Sequence, residues 1–352
     1  MMCYKKFFTL LALLLALAAP GWAAVTGSNG EVTIENLDDL KKVFSVAGAG
    51  YAFSGRSLDD GTKIEVINFS GDISLDKELL ISDNITLRGN GHTLDAQNKC
   101  RVIEVCCSGI SVTIDGFTLM NGNAGDNGGG ISSSLGNTLT VKNCTFVNNK
   151  ASKGGGILAE GLSQNEASVT VTHCRFENNT AGNLSEGGGG ICVIGGTKLT
   201  VAHCTFTGNK AGDSTAGYGG GVSVYNATAN VSNCTFTGNT AQHGGGGVRV
   251  ENATANVSNC TFTGNTVQNG GGGIEVTDST STVNVFHCTF TGNMSGSDFH
   301  EVESKGTLNA VNTVFWDDGV QYIFNNGTLN LYHCAYGCAY GINAIGGTGT
   351  VG

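Results

Sequence analysis

Six copies of one block constrain this sequence more than any other feature does. Each copy reads Asn or His, then C-x-F-x-x-N, and the cysteines of successive copies are 30, 30, 30, 26 and 28 residues apart. The copies are Asn143–Asn149, His173–Asn179, His203–Asn209, Asn233–Asn239, Asn259–Asn265 and His287–Asn293. Glycine runs precede each copy or follow it, and they close at Ile131, Ile157, Ile191, Val222, Val248 and Ile274. Self-similarity at this period is typical of a solenoid.

Apolar and polar residues alternate within each unit, as in Leu139-Thr-Val141 and Val169-Thr-Val171. This period of two predicts short strands with one buried face. The single proline, Pro20, lies before the array, as sheets inside a stack require. A unit with two or three short strands cannot bury its apolar side alone, whereas stacked units can. We therefore expect an all-β chain that forms a parallel β-helix.

Four segments are expected along the chain. Residues 1–23 resemble a secretory signal peptide, because Lys5 and Lys6 precede an apolar run and small residues precede a cut after Ala23. Residues 24–84 are expected to form the amino-terminal cap and first coils, with a short helix over Asn36–Phe44. Residues 85–340 form the repeat array, and residues 341–352 form a carboxy-terminal tail.

Three residues of each unit are expected to build ladders inside the stack. The phenylalanines point inward, the cysteines act as small buried apolar residues, and the last asparagines satisfy backbone groups of the next coil. The phenylalanines are Phe146, Phe176, Phe206, Phe236, Phe262 and Phe290. The cysteines are Cys144, Cys174, Cys204, Cys234, Cys260 and Cys288. The asparagines are Asn149, Asn179, Asn209, Asn239, Asn265 and Asn293.

Six further cysteines of the exported chain lie outside this pattern: Cys100, Cys106, Cys107, Cys192, Cys334 and Cys338. Disulfide connectivity does not follow from sequence alone, and the favoured pair is Cys334 with Cys338. No paired C-x-x-C sites occur, so cysteine is not expected to bind a metal. The calcium-binding β-roll pattern also fails, because the glycine runs lack its repeated aspartate.

Charge limits the possible partners. The chain has 18 Lys and Arg against 28 Asp and Glu, a net charge of −10. This balance disfavours nucleic acid and anionic membrane surfaces. The apolar run Phe7–Ala19 is shorter than the ~20 residues that span a bilayer, so the protein is not expected to cross a membrane.

A glycoside hydrolase would need two converging carboxylates about 5–9 Å apart, which equivalent positions on neighbouring coils would supply. The acidic residues of the array instead appear scattered over non-matching repeat positions: Glu160, Glu177, Glu251, Glu275 and Asp278. Asp317 and Asp318 are adjacent and would point to opposite faces of a strand. Arg175, Arg249 and His92 are expected to be surface residues. We therefore assign no catalytic, cofactor-binding or metal-ligating residue and expect no cofactor.

The paired motifs resemble the repeat signature of the polymorphic outer membrane protein family. F-x-x-N appears at Phe146–Asn149 and in its five counterparts, and the G-G-A-I half appears as Gly-Gly-Gly followed by Ile or Val, over roughly residues 117–293. The resemblance implies a right-handed parallel β-helix, within the pectin lyase-like class, displayed on the outer membrane for adhesion. Members carry a carboxy-terminal membrane barrel, and we find no matching segments before Gly352. We therefore expect a stand-alone relative, a truncated member or a protein exported by another route.

The leading hypothesis is a non-enzymatic protein of the bacterial envelope or medium that binds a surface glycan or a host or cell-surface protein. Glycosylation sequons inside the repeat block favour a bacterial origin, because a glycan there would compete with stacking. The first alternative is a polysaccharide lyase or glycoside hydrolase of the pectin lyase-like class. The second is an ice-binding protein that uses outward threonines on successive coils. These threonine pairs are Thr205 and Thr207, Thr235 and Thr237, Thr261 and Thr263, and Thr289 and Thr291.

Overall fold

The computed structural model describes residues 27–47, 50–161, 167–182, 186–212, 217–296, 300–316, 323–336 and 348–351. The predicted signal peptide, Asp317, Asp318 and Cys338 lie outside these ranges. Four sheets run along the molecule, and each coil of the chain adds a strand to the sheets in the order I, II, IV, III. The chain therefore folds as a parallel β-helix, as the repeat predicts.

Sheet I has thirteen strands, and the identical sequences of its strands Thr228–Ser232 and Thr254–Ser258 lie in register. Its strands are Glu31–Ile34, Val66–Phe69, Ile85–Arg88, Ser111–Asp115, Thr138–Lys142, Ser168–Thr172, Lys198–Ala202, Thr228–Ser232, Thr254–Ser258, Thr282–Phe286, Thr307–Val311, Thr328–Tyr332 and Thr348–Val351. Because Thr348–Val351 pairs with Thr328–Tyr332, the stack extends beyond the boundary expected at residue 340.

Sheet II follows sheet I in each coil and contains the phenylalanine of the repeat block. Its strands are Ile73–Ser74, Thr93–Asp95, Thr118–Met120, Thr145–Val147, Arg175–Glu177, Thr205–Thr207, Thr235–Thr237, Thr261–Thr263, Thr289–Thr291, Val314–Trp316 and Ala335–Tyr336. The short sheet IV comes next and has six strands. They are Lys150–Ala151, Thr180–Ala181, Lys210–Ala211, Thr240–His243, Thr266–Asn269 and Met294–Ser295.

Sheet III completes the coil, and six of its twelve described strands begin at the aliphatic residue that closes a glycine run. Its strands are Ser45–Ala47, Gly50–Phe53, Glu78–Ile81, Ile103–Val105, Ile131–Ser133, Ile157–Glu160, Ile191–Ile194, Val222–Tyr225, Val248–Glu251, Ile274–Val276, Val302–Ser304 and Ile323–Asn325. Among the described strands, only Ser45–Ala47 and Gly50–Phe53 pair in antiparallel fashion.

The three predicted ladders form the core. The six phenylalanines are fully buried, and successive rings from Phe146 to Phe290 stack with centroids 4.6–4.8 Å apart. The six cysteines of the repeat block are also buried. From Asn179 to Asn293, each buried asparagine of the ladder accepts a side-chain hydrogen bond of 2.7–3.0 Å from the asparagine of the preceding coil. The backbone groups that it satisfies also belong to the preceding coil, not to the next one.

The predicted helix, α1, spans Leu37–Val43 and belongs to the amino-terminal cap. The Asn36 side chain accepts hydrogen bonds from the backbone N–H groups of Asp38 and Asp39, which is N-cap geometry. Leu40 and Phe44 are fully buried against the first coils. A stack of strands would otherwise present an open end, which α1 and the antiparallel strand Ser45–Ala47 close off.

Candidate functional site

The outward positions of six neighbouring strands of sheet III, from Ile131–Ser133 to Ile274–Val276, are unusual because they are buried. The residue after each closing aliphatic residue points away from the core, and these residues form one column through neighbouring strands. The column contains Ser132, Leu158, Cys192, Ser223, Arg249, Glu275 and Glu303. The glycine segment of the same coil covers it: a Cβ on Gly188 would lie 2.6 Å from Cys192 Cβ, and one on Gly219 would lie 2.9 Å from Ser223 Cβ. Glycine is therefore needed where the chain crosses this column.

Charged side chains occupy the carboxy-terminal part of the column, at Arg249, Glu275 and Glu303. The expectation that Arg249 is a surface residue is wrong, because its side chain is buried. It lies over the Tyr218 ring with its guanidinium carbon 4.1 Å from the ring centroid, and it forms an ion pair with Glu251. Burial lowers the pKa of Arg249, and the nearby Glu275 carboxylate opposes this effect. The charge of this arginine is thus held between an aromatic face and carboxylates.

Glu275 lies between Arg249 and Glu303 in the column and is 5% exposed. Its Oε2 atom has no hydrogen-bond partner among the described residues. A Cβ on Gly244 would lie 2.1 Å from this oxygen, so the glycine segment passes directly over the carboxylate. Burial, and then the Glu303 charge, raise the pKa of Glu275 to about 7. The side chain can therefore hold a proton near neutral pH.

The structure corrects the expectation that the acidic residues fall at non-matching positions. Glu160 and Glu251 belong to one column of sheet III, with Ile194 and Tyr225 between them. Glu275 and Glu303 are direct register partners. These matches are hard to recognise in the sequence, because each position carries a different side chain in most coils.

The other candidates from the sequence lie elsewhere and do not meet. Glu177 is on sheet II and pairs with Arg175. Asp278 lies in a turn; burial acts to raise its pKa, but hydrogen bonds from Ser281, Thr280 and the Asn252 backbone lower it to about 2.

His92 lies at the surface of the first coils, and its Nδ1 atom is 3.3 Å from a carboxylate oxygen of Asp72.

Of the cysteines off the ladder, Cys192 is fully buried in the sheet III column. The Cys334–Cys338 disulfide stays a prediction, because Cys338 lies outside the described residues.

A second candidate site is the outer face formed by sheets I and II. Five consecutive strands of sheet I, from Thr228–Ser232 to Thr328–Tyr332, carry no charged residue. Their central outward position is asparagine in every strand, and these side chains join in an amide ladder with hydrogen bonds of 2.7–2.9 Å. The ladder residues are Asn230, Asn256, Asn284, Asn309 and Asn330.

Sheet II continues this surface with the predicted threonine array. Its four Thr-Phe-Thr strands lie in register, so the threonines form two parallel rows of outward hydroxyl and methyl groups. The rows are Thr205, Thr235, Thr261 and Thr289, and Thr207, Thr237, Thr263 and Thr291. We call the outward side of these rows and of the five sheet I strands the uncharged face.

A shallow groove of about 460 Å³ borders the uncharged face where the sheet I strands begin. Its polar lining includes Lys198, Asn226, Thr228, Asn252 and Thr254. Hydroxyls and amides of the first outward positions of sheet I thus face an open depression. The groove offers both hydrogen-bond donors and acceptors to a bound polymer.

Neither site is a preformed metal centre within the part of the chain that the structure describes. Across those ranges, no group of three or more His, Cys, Asp or Glu side chains is placed to hold a metal ion. No described helix has the length and apolar character needed to cross a bilayer.

Comparisons with known proteins agree with the observed fold. No curated protein sequence matches the chain. One similar solved structure is a mannuronic acid specific polysaccharide family 6 lyase from human gut microbiota, with 11% identity, 86% of each chain covered and a TM-score of 0.34. That likeness is too distant to carry an activity across. The family model described as the right-handed β-helix region matches residues 59–229 and 218–351. Because these matches cover most of the sequence, the chain belongs to the right-handed β-helix family.

Proposed function

We propose that this is an exported protein of the bacterial envelope or medium, not itself an enzyme, that binds an extended glycan along the uncharged face. One observation carries the proposal: asparagine and threonine side chains repeat in register on that face without an intervening charge. The resemblance of the repeat to the signature of the polymorphic outer membrane protein family, which implies adhesion, supports this proposal.

The chemistry of the face matches that of a sugar polymer. Threonine hydroxyls and asparagine amides both donate and accept hydrogen bonds, as sugar hydroxyls do. Coils repeat at about 4.8 Å, so a polymer that lies along the stack meets the same groups many times. Weak contacts repeated along one ligand add up through effective concentration. The net charge of −10 favours a neutral glycan over a polyanion.

The test is retention of the protein, made without residues 1–23, in gels that contain single neutral or acidic polysaccharides. We expect at least one neutral polysaccharide to retard the protein, and Thr254→Glu to weaken that retention. Ser111→Glu is the matched control, because Ser111 is exposed and occupies the same strand position five coils away, outside the uncharged face. Retention by no polysaccharide, or equal effects of the two changes, would contradict the proposal.

Cleavage of a polysaccharide is a second candidate function, and the Glu275–Glu303 pair favours it. Register partners in a parallel sheet are about 4.8 Å apart along the stack, near the ~5–5.5 Å carboxylate separation of retaining glycosidases. A carboxyl group with a pKa of about 7 suits a general acid, and the glycine segment over Glu275 would have to open before a substrate could reach it. Release of new chain ends that both Glu275→Gln and Glu303→Gln abolish would establish cleavage. Release that both variants preserve would rule out this pair.

The threonine rows of sheet II also form the flat array that an ice-binding protein would use. Thermal hysteresis measured on the same protein tests this function directly. A freezing-point gap that Thr235→Glu abolishes would replace the glycan proposal, whereas no gap removes ice binding.

A further inference from the structure

Large apolar side chains are exposed at few described positions, and most of these lie at the carboxy-terminal coils. Trp316 is 57% exposed, Tyr332 is 45% exposed and Phe286 is 37% exposed. Val46, 57% exposed, belongs to the amino-terminal cap at the opposite end. Exposed apolar side chains that cluster in one region of a surface mark a candidate binding site.

Trp316 occupies the end of a threonine row. Its strand, Val314–Trp316, pairs with Thr289–Thr291, so Trp316 follows Thr291 in the row that begins at Thr207. The residue before it, Phe315, is fully buried and stacks on Phe290 with ring centroids 5.1 Å apart. The core thus fixes the backbone on which the indole is presented.

Sheet I changes in the same way on neighbouring coils. The last outward position of its strands is serine at Ser232 and Ser258 and then becomes Phe286, Val311 and Tyr332. Both sheets of the uncharged face therefore pass from small polar residues to aromatic and apolar ones near the carboxy-terminal end.

We propose that Trp316 is a stacking platform for one sugar ring of a neutral glycan that lies along the threonine rows. This inference rests on the proposed function and names the point at which the ligand is anchored. A sugar ring has C–H groups on its faces and hydroxyls at its rim. The indole can cover such a face, while threonine hydroxyls of the adjoining row bond the rim.

A glycan fits this position better than a folded protein partner. A stable protein interface buries at least about 1,000 Å² and has a continuous apolar centre. Within its own row, Trp316 is preceded by Thr291 and Thr263, whose hydroxyls suit a hydrated polymer. The width of one indole matches one ring, and the row sets the direction of the chain.

The chain supplies its own probe for the test. Trp22 and Trp316 are its two tryptophans, so in protein made without residues 1–23 selective excitation of tryptophan reports on Trp316 alone. We expect oligosaccharides prepared from the polysaccharide that retains the protein to change the Trp316 emission in a saturable manner. Trp316→Ala should weaken retention about tenfold, the effect of one well-packed aromatic contact, whereas Trp316→Phe should keep most of it. Val46→Ala, which removes an equally exposed apolar side chain at the other end, is the control.

The outcomes separate this inference from the proposed function. If the polysaccharide still retains Trp316→Ala as strongly as the unchanged protein, or if Trp316 emission does not respond, the platform is wrong although glycan binding stands. If no polysaccharide retains the unchanged protein, both proposals fail. Circular dichroism of Trp316→Ala confirms that the variant is folded, as expected for a change at an exposed side chain.

Discussion

At the scale of single residues, the buried asparagines show how much one side chain can do in a stack. Asn209 accepts hydrogen bonds from the backbone N–H and side-chain amide of Asn179, and it donates to the carbonyl of Phe176 and to Asn239. An amide has both donors and an acceptor, so the same residue can repeat in every coil without leaving a group unpaired. This role was predictable because the residue recurs at a fixed position.

Replacing one buried asparagine should therefore be costly. In Asn209→Ala, the N–H of Asn179 and the carbonyl of Phe176 lose their partners in the interior. We expect a loss of about 2 kcal/mol or more in the free energy of unfolding, measured by urea denaturation. Asn256→Ala, which interrupts the exposed amide ladder, is the control and should cost under about 0.5 kcal/mol. Equal losses would show that burial does not set the cost.

Glu275 gives a prediction on pH. The folded protein holds this proton up to about pH 7, whereas an unfolded chain releases it near pH 4.5. The folded state then binds more protons between these values, so stability falls as pH rises through this window. Glu303 strengthens the effect, and Lys305 and Arg249 oppose it.

Glu275→Gln should remove this fall. The stability gained over the unchanged protein should be near zero at pH 4 and reach at most about 3 kcal/mol at pH 8, as measured by denaturation across the range. Glu177→Gln makes the same change on sheet II and serves as the control. A gain at pH 4 as large as that at pH 8 would contradict the linkage to this carboxyl group.

The grouping of charged residues in the sheet III column could not be predicted from the sequence. Phenylalanine, cysteine and asparagine recur at fixed distances within one short block, so their ladders follow from the sequence. Arg249, Glu275 and Glu303 share a position whose residue type changes from coil to coil. Segments of differing length separate this position from the repeat block, so the sequence alone does not show which residues of neighbouring coils are register partners. Only the stacked strands bring these three side chains together.

At the scale of the elements, the glycine runs explain how sheet III can start so close to the core. Gly221 lies against the Phe236 ring and the backbone of Gly247: a Cβ there would be 2.9 Å from the ring and 2.6 Å from the carbonyl oxygen of Gly247. Gly156, Gly190 and Gly247 repeat this arrangement. The glycine runs are evident in the sequence as part of the repeat, whereas their close packing on the phenylalanine ladder is visible only in the structure.

A methyl group added at such a position should disturb the stack. Gly221→Ala is expected to cost about 1–3 kcal/mol, because neither the ring nor the neighbouring backbone has room to move. Gly125→Ala is the control, since a Cβ there meets nothing within 4 Å. The thermal midpoints of both variants measure the difference. A Gly221→Ala midpoint equal to that of the control would mean that the coils can separate locally.

At the scale of the whole molecule, stability should vary along the rod. Each coil contacts only its neighbours, so folding is close to one-dimensional and the ends carry special elements. Helix α1 belongs to such an element, and both its N-cap and its apolar face were predictable because they depend on residues close in sequence. The strand Thr348–Val351 was not predicted, because it forms by pairing with Thr328–Tyr332 and its own sequence lacks the repeat block.

Weakening the cap should therefore affect one end. Leu40→Ala removes a fully buried side chain of α1 and should accelerate amide hydrogen exchange in the first coils. Exchange in the strands from Thr138–Lys142 to Thr289–Thr291 should be unchanged. Mass spectrometry of peptide fragments resolves the two regions. Faster exchange throughout the array would indicate a single cooperative unit instead.

The identity of neighbouring coils also has a consequence for how such a molecule changes in length. Residues 226–240 and 252–266 are the same fifteen-residue sequence, separated by 26 residues, and their strands lie in register. Unequal recombination between the two coding segments would insert or remove one complete turn of 26 residues. Every ladder would continue across the junction, and the rod would lengthen or shorten by about 4.8 Å. Its gene can therefore adjust the reach of the protein in whole coils without passing through a misfolded intermediate.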